Sequence, residues 1–265
     1  MRGRFHLIAA AILCVASTAA LADDLTICPD RPGKATATCT VPAGHWQIET
    51  GLADWSLQKA GGERDTSLAL GETTIKLGLT DASNIEVDVT PWQRATSSAH
   101  GVHDSASGFG DIDILYKQRL TATDAALQVS ALPFVKIPTA NHSLGNGEWE
   151  GGLLMPIDYA IPKSELSLGF TPEIDWAADS VGHGHHAAMT QVASLGWQAT
   201  NKLDVSAELW GQWDWDPAGT VRQYSGDASV AYLVSKQVQL DAGANFGLNR
   251  NTPDIELYAG FAELF

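Results

Sequence analysis

Leu203-Asp204-Val205-Ser206-Ala207-Glu208-Leu209, running on to Gln212-Trp213-Asp214-Trp215, is the stretch whose reading settles the fold class. Leu203, Val205, Ala207, Leu209, Trp213 and Trp215 stand opposite Asp204, Ser206, Glu208, Gln212 and Asp214. Side chains alternate across a β-strand, so this period of two predicts a strand with one apolar and one polar face. The alternation returns along the chain. Ile85, Val87 and Val89 oppose Glu86, Asp88 and Thr90; Ile112, Ile114, Tyr116 and Leu120 oppose Asp111, Asp113, Lys117 and Arg119. Leu166, Leu168, Phe170, Ile174 and Trp176 face away from Glu165, Thr171, Glu173 and Asp175.

Twelve such strands are predicted, at roughly 45–57, 66–79, 84–94, 110–120, 125–137, 148–160, 164–176, 188–199, 202–215, 221–234, 237–247 and 254–265. Short connections at 80–83, 121–124, 161–163, 200–201 and 235–236 alternate with longer ones. The longer ones are 58–65, 95–109, 138–147, 177–187, 216–220 and 248–253. An even strand count with short turns at one end and loops at the other predicts an all-β, antiparallel, transmembrane β-barrel. The strands reach the roughly 9–11 residues that a tilted span needs. Trp55, Trp92, Trp149, Trp176 and Trp215 fall near the long-loop ends and Trp46 and Trp197 near the short turns, as interfacial girdles require. Closing the sheet also removes the edges that lipid cannot tolerate. The last strand ends on Phe265 with Phe261, Ala259, Leu257 and Ile255 in phase, interrupted by Glu263. That ending is typical of barrels inserted into bacterial outer membranes, which makes outer-membrane lipid and the barrel-assembly machinery expected partners.

Composition agrees. The chain has 265 residues, 16 Lys+Arg against 31 Asp+Glu and a net charge of −15, so it lacks the basic clusters of a nucleic-acid partner. Charged residues make up 18%, below the roughly 25% of soluble domains. A mean hydropathy of −0.06 excludes a bundle of membrane helices.

Residues 1–22 read as a secretory signal: Arg2 and Arg4, an apolar run from Leu7 to Val15, then Ala20-Leu21-Ala22 before Asp23. Leu13 precedes Cys14 where a lipoprotein signal wants a small residue, so no lipid anchor is read. Removing Arg2 and Arg4 leaves 14 basic and 31 acidic residues, a mature charge of −17. In the exported chain Cys28 and Cys39 are expected to form a disulfide. A metal site would have only His45 to add nearby, and the C-x-x-C spacing of a redox pair is missing. Residues 23–44 therefore form an N-terminal segment, free in the periplasm or folded into the lumen as a plug through Asp30 and Arg31. In the plug, Arg31 would pair with a wall carboxylate such as Glu49. The disulfide and Pro29, Pro32 and Pro42 favour the ordered plug by limiting unfolded freedom.

Asp30-Arg31-Pro32 and the run Val41-Pro42-Ala43-Gly44-His45-Trp46-Gln47-Ile48-Glu49-Thr50-Gly51 carry a resemblance. So do Thr73–Leu79, Gly108–Asp113 and Leu132–Thr139. The chain resembles, from about Asp30 to Phe265, the outer-membrane transporter family of the phenol-degradation meta-pathway type. The resemblance implies an outer-membrane barrel that passes small molecules, without naming the substrate. Lys76 stands where the family pattern has Arg, and the cysteine pair is an addition.

Eight-stranded barrels are filled by side chains and 16–18-stranded ones hold a water channel, so twelve strands imply a narrow lumen. Inward parity places Glu49, Glu72, Lys76, Glu86, Asp88, Asp111, Asp113, Lys117, Arg119, Lys136, Glu173, Asp175 and Glu208 along the solute path. Asp158, Glu165, Asp204, Asp227, Asp241 and Glu256 share that parity. A carboxylate-lined pore concentrates cations and disfavours anions, so a path for cations or small neutral solutes, aromatic and hydrophobic compounds among them, is expected. The same acids can also pair with Lys76, Lys117, Arg119 and Lys136 to hold the wall. Pro133, Pro156 and Pro172 fall in three consecutive strands where proline cannot donate to the ladder. They mark local bulges or a seam through which a hydrophobic solute leaves sideways.

His183, His185 and His186, with His100, His103 and His142, lie in predicted external loops. Imidazoles suit zinc, copper or nickel, but no carboxylate or thiolate stands at fixed spacing, so solvated loop histidines are the plainer reading and no cofactor is expected. A barrel-embedded lipid hydrolase needs Ser and His adjacent on the outer wall, and no G-x-S-x-G elbow is present. A structural or surface-interaction barrel without transport is the alternative, with loops short for adhesion. A soluble periplasmic β-protein ranks last.

Overall fold

The computed structural model describes residues 25–265, so the expected signal at 1–22 lies outside the described residues. Sixteen ladder segments follow in order: β1 (Trp46–Ala60), β2 (Glu63–Leu70), β3 (Glu72–Thr80), β4 (Ser83–Val89), β5 (Trp92–Ala99), β6 (Val102–Gly108), β7 (Ile112–Arg119) and β8 (Leu127–Ile137). Then come β9 (Glu150–Leu154), β10 (Ile157–Ala160), β11 (Leu166–Ala178), β12 (His185–Thr200), β13 (Leu203–Asp214), β14 (Val221–Ser235), β15 (Val238–Gly247) and β16 (Ile255–Leu264). All pairings are antiparallel, and β16 returns to β1 from Gln47↔Leu264 to Leu57↔Ile255. Four staves are each interrupted once. Gly71 separates β2 from β3, Thr90-Pro91 β4 from β5, residues 109–111 β6 from β7, and Met155-Pro156 β9 from β10. The sixteen segments are thus twelve staves of one closed antiparallel barrel, as predicted.

Parity decides what faces outward. Leu166, Leu168, Phe170, Ile174 and Trp176 of β11 are all exposed, as are Leu240, Leu257 and Phe246, while Glu49, Lys76, Glu86, Lys117, Glu208 and Asp241 on the alternate positions are buried. This inverts a soluble protein and matches a wall whose outer solvent is hydrocarbon. Trp149, Trp176 and Trp215 stand exposed at the long-loop rim, and Trp46 and Trp197 at the short-turn rim.

Two predicted loops are strand instead. The chain at 58–65 turns only at Gly61-Gly62, and the chain at 95–109 turns only at His100-Gly101, so β1–β2 and β5–β6 rise as extended hairpins. Both faces of these hairpins carry Ser, Thr, Gln and charged residues, as a sheet standing in water would. That removes the alternation on which the prediction relied. His103 consequently lies within β6, and His185 and His186 open β12 rather than standing in a loop. Pro133 and Pro172 lie inside β8 and β11, whereas Pro156 marks the break between β9 and β10. The β7–β8 ladder skips between the pairs Leu115↔Phe134 and Gln118↔Ala131, around Pro133.

Residues 25–44 form a loop among inward-pointing side chains, with both limbs at the short-turn rim. Ile27 N–H donates to Lys236 O at 2.9 Å, and Gly44 N–H donates to Gly78 O at 2.9 Å. The Cys28–Cys39 disulfide links the two limbs. Ile27 and Val41 pack with Ala262 and Leu264 in a small apolar cluster that anchors the base of the loop. A Cβ on Gly78 would collide with the Pro42 carbonyl, so the descending limb can lie on the wall only where that residue is glycine.

Candidate functional site

The mid-lumen is organised around Asp30. Its carboxylate accepts from Lys117 Nζ at 2.7 and 2.8 Å and from Lys76 Nζ. Lys76 also meets Glu49, and Lys117 lies 3.5 Å from Glu86. Both lysines are 1% exposed, so each ammonium is removed from water and must be paired. Burial alone would raise the Asp30 carboxyl; the Lys117 and Lys76 ammonium groups outweigh it and hold it down at about 2. Glu49 also accepts the Asp30 and Arg31 backbone N–H groups at 3.0 and 3.1 Å, and Gln47 clasps the Cys28 backbone by both N–H and C=O. The Arg31 guanidinium does not pair with Glu49 as expected; it reaches Asp241, at 3.0 Å, on β15, two staves from Glu49 across β16.

The apex of the loop is Gly33-Lys34. Gly33 has φ +92°, and a Cβ there would come 2.7 Å from Glu208 Oε1. Glyless backbone could not approach this carboxylate, which accepts the Lys34 N–H at 2.8 Å. On the descending limb Thr38 bonds Asp158 at 2.8 Å, and Ser130 Oγ–H donates to Thr38 O at 2.6 Å.

Two cavities flank this loop. One of about 500 Å3 lies toward the short-turn rim and takes in Gln128, Asp158, Asp204, Ser206 and Glu208. The other, of about 640 Å3, lies toward the long loops and takes in Lys136, Glu150, Glu173, Asp175, Asp214 and Asp216. Between them, on four staves of one side of the wall, stand the inward residues Leu132, Thr171, Val192 and Trp210. Leu132 and Val192 are 1% and 2% exposed, Thr36 N–H donates to Thr171 Oγ1 at 3.3 Å, and Val192 pairs across to Trp210. On this side of the wall a largely apolar stretch lies between the residues that line the two cavities.

The remaining named residues fall as follows. Asp88 and Asp113 face each other across β4–β7, and Lys136 lies opposite Asp113 while holding Asp111 at 3.3 Å and Glu150 at 2.5 Å. Glu72 neighbours Arg31 below Gly51. Arg119 is not in the mid-lumen network; it lies near the short-turn rim, its guanidinium donating to Asp81 O at 2.6 Å. Glu165 sits exposed in the turn before β11. His183 bonds Glu148, His186 lies between Asp179 and Asp214 at 2.8 and 2.7 Å, and His185 stacks on Trp176 with centroids 3.6 Å apart. Among the described residues no group of three or more metal-ligating side chains is placed to hold a metal ion.

A family model described as "Putative MetA-pathway of phenol degradation" matches residues 29–263. The chain belongs to this family. Among solved structures, an outer membrane channel from Pseudomonas putida F1 is 16% identical, with a TM-score of 0.71, covering 89% of this chain and 99% of that one. The NanC porin (9% identical, TM-score 0.51, 82% and 98% covered) and the KdgM porin (7%, 0.51, 83% and 99%) share the fold more loosely. No curated protein matches the chain. Three of the stretches that carried the family resemblance seat the loop: Asp30-Arg31 supply its ion pairs, and Val41-Pro42 lie against Gly78 of the Thr73–Leu79 stretch.

Sequence reasoning missed Lys34, Leu132, Val192 and Trp210. Trp210 shares the parity of Glu208 and Gln212, a signal available in the sequence but masked by the outward Trp213 and Trp215. Nothing in the sequence marks Lys34, because its partners lie 191 to 222 residues away in β14 and β16.

Proposed function

We propose that this chain is a bacterial outer-membrane channel for small solutes, its lumen acid-lined and narrowed by residues 25–44, and not an enzyme. The observation that carries the reading is a closed wall around two carboxylate-lined cavities, one toward each rim. Carboxylates in so narrow a bore favour cations and neutral solutes. The family's description refers to phenol degradation, which makes aromatic solutes the class to test first. The exposed apolar belt faces lipid, and the strand ending on Phe265 addresses the barrel-assembly machinery. Against a hydrolase, no histidine is hydrogen-bonded to a serine among the described residues. For hydrophobic solutes the ladder interruptions at Pro133 and Met155-Pro156 offer a sideways exit into the membrane.

Recording in planar bilayers tests the channel. Wild type should show a small, cation-preferring conductance, and deletion of residues 23–40 should raise it several-fold. Anion preference would reject the acidic path, and an unchanged conductance after deletion would reject the constricting role of the loop. Liposome swelling that stays at the level of empty vesicles for both proteins would favour a structural barrel without transport.

A further inference from the structure

We propose that the lumen wall carries a binding seat for a small primary ammonium ion with an apolar tail, occupied in this structure by the chain's own Lys34. The Lys34 ammonium donates to Ser225 Oγ at 3.1 Å and lies 4.5 Å from the centroid of the Trp210 ring. It is 3.7 Å from Asp227 and 3.9 Å from Glu256, both beyond hydrogen-bond distance. Only one of its donors is well used. The Lys34 backbone N–H is held by Glu208 at 2.8 Å, which ties the ammonium to this reach of the wall.

The wall, meanwhile, is left with acceptors to spare. Asp227 and Asn245 are 5% and 4% exposed and face each other across β14–β15, and the Oδ1 atom of each lacks a partner among the described residues. Asn245 spends its amide N–H on Glu256 at 2.8 Å, so its carbonyl oxygen is the atom left over. Buried acceptors without donors are costly, and a group with three donors that is free to move satisfies them better than the tethered lysine does. A cation fits best, because the unpaired atoms of Asp227 and Asn245 are both acceptors, the nearby unpaired Tyr258 hydroxyl can accept as well as donate, and the face of Trp210 is a cation's neighbour. The tail follows from position, since Val192 lies directly across from Trp210 and Leu132 is buried on the same side of the wall. The Lys34 side chain is 24% exposed, so the seat opens to the lumen. The pairing of Asp30 with Lys76 and Lys117 has no such shortfall.

This proposal rests on the lumen being a solute path, but its test reads binding without flux. Purified protein in detergent is titrated with n-butylammonium chloride by calorimetry, using wild type, Lys34→Met and Lys34→Met/Asp227→Asn. The Met variant keeps the apolar stem and vacates the seat. It should bind at least tenfold tighter than wild type, the double variant should lose that gain, and sodium butyrate should not bind. Equal affinity in wild type and Lys34→Met, or an unchanged affinity after Asp227→Asn, would overturn the proposal. If Lys34→Met fails to give the heat-modifiable band of a folded barrel, Lys34→Gln is judged by the same two criteria. A protein that conducts but does not bind n-butylammonium loses the seat alone, and one that binds without conducting loses only the channel.

Discussion

Asp30 is a single carboxylate placed between two lysines that have almost no other contact with water. Replacing it with Asn leaves two buried ammonium groups sharing Glu49 and Glu86, which should weaken docking of the loop by about 3 kcal/mol. Susceptibility of residues 25–44 to protease in otherwise intact barrels measures this. The acid also sets a pH window. Its folded value, about 2, lies below the ordinary 3.8, so its contribution is complete above roughly pH 4 and is lost as pH falls toward 2. Conductance should rise across that window in wild type, and Asp30→Asn should flatten the rise. Gly33 makes the second residue-scale prediction. Alanine there meets both a left-handed φ and the Glu208 carboxylate, so Gly33→Ala should expose the loop to protease at a cost of about 1–3 kcal/mol, without altering the barrel's heat-modifiable mobility.

At the scale of elements, the wall was legible wherever one face met lipid and the other the lumen. In β11 every outward residue from Leu166 to Trp176 is apolar apart from Pro172 at the kink, and the sequence pattern alone places it. The tops of β1, β2, β5 and β6 were not legible, because Ser56, Thr66, Ser67, Thr96 and Ser97 have polar surroundings on both faces and no contrast survives. The three proline staves give a further test. Pro133 faces outward in a stretch where the β7–β8 ladder lapses, and on the other edge of β8 Ser130 N–H donates to Pro156 O at 3.0 Å. Substituting Val for Pro133, Pro156 and Pro172 together should restore ladder donors and raise thermal stability. If the seam is an exit, the same variant should slow uptake of an apolar solute several-fold while leaving ion conductance intact; uptake equal to wild type would leave the prolines as bulges only.

Across the whole molecule, polar contacts between the loop and the wall span sequence separations from 18 residues (Arg31 to Glu49) to 222 (Lys34 to Glu256). Local pattern could announce that acids and bases point inward, but not which pairs meet, since many carboxylates of equal parity compete for Arg31. The disulfide acts at this scale too. Closing a loop of sequence separation 11 restricts the undocked segment by about 3 kcal/mol on chain-entropy grounds. Cys28→Ser/Cys39→Ser should therefore lengthen high-conductance bursts in single-channel records, and wild type under reductant should behave likewise.

Both limbs of the loop leave at the rim where His45 Nδ1–H donates to the Phe265 carbonyl and the first and last staves meet. Topologically the described insert is a bight: residues 25–44 enter and leave at the same rim. It can slip out like a stopper on its own cord, breaking only side-chain attachments and the few backbone bonds at its base. The sealed ladder between the first and last staves never has to part. Emptying the bore and unfolding the cylinder are therefore separate events with separate barriers, and a cell can regulate the first without risking the second.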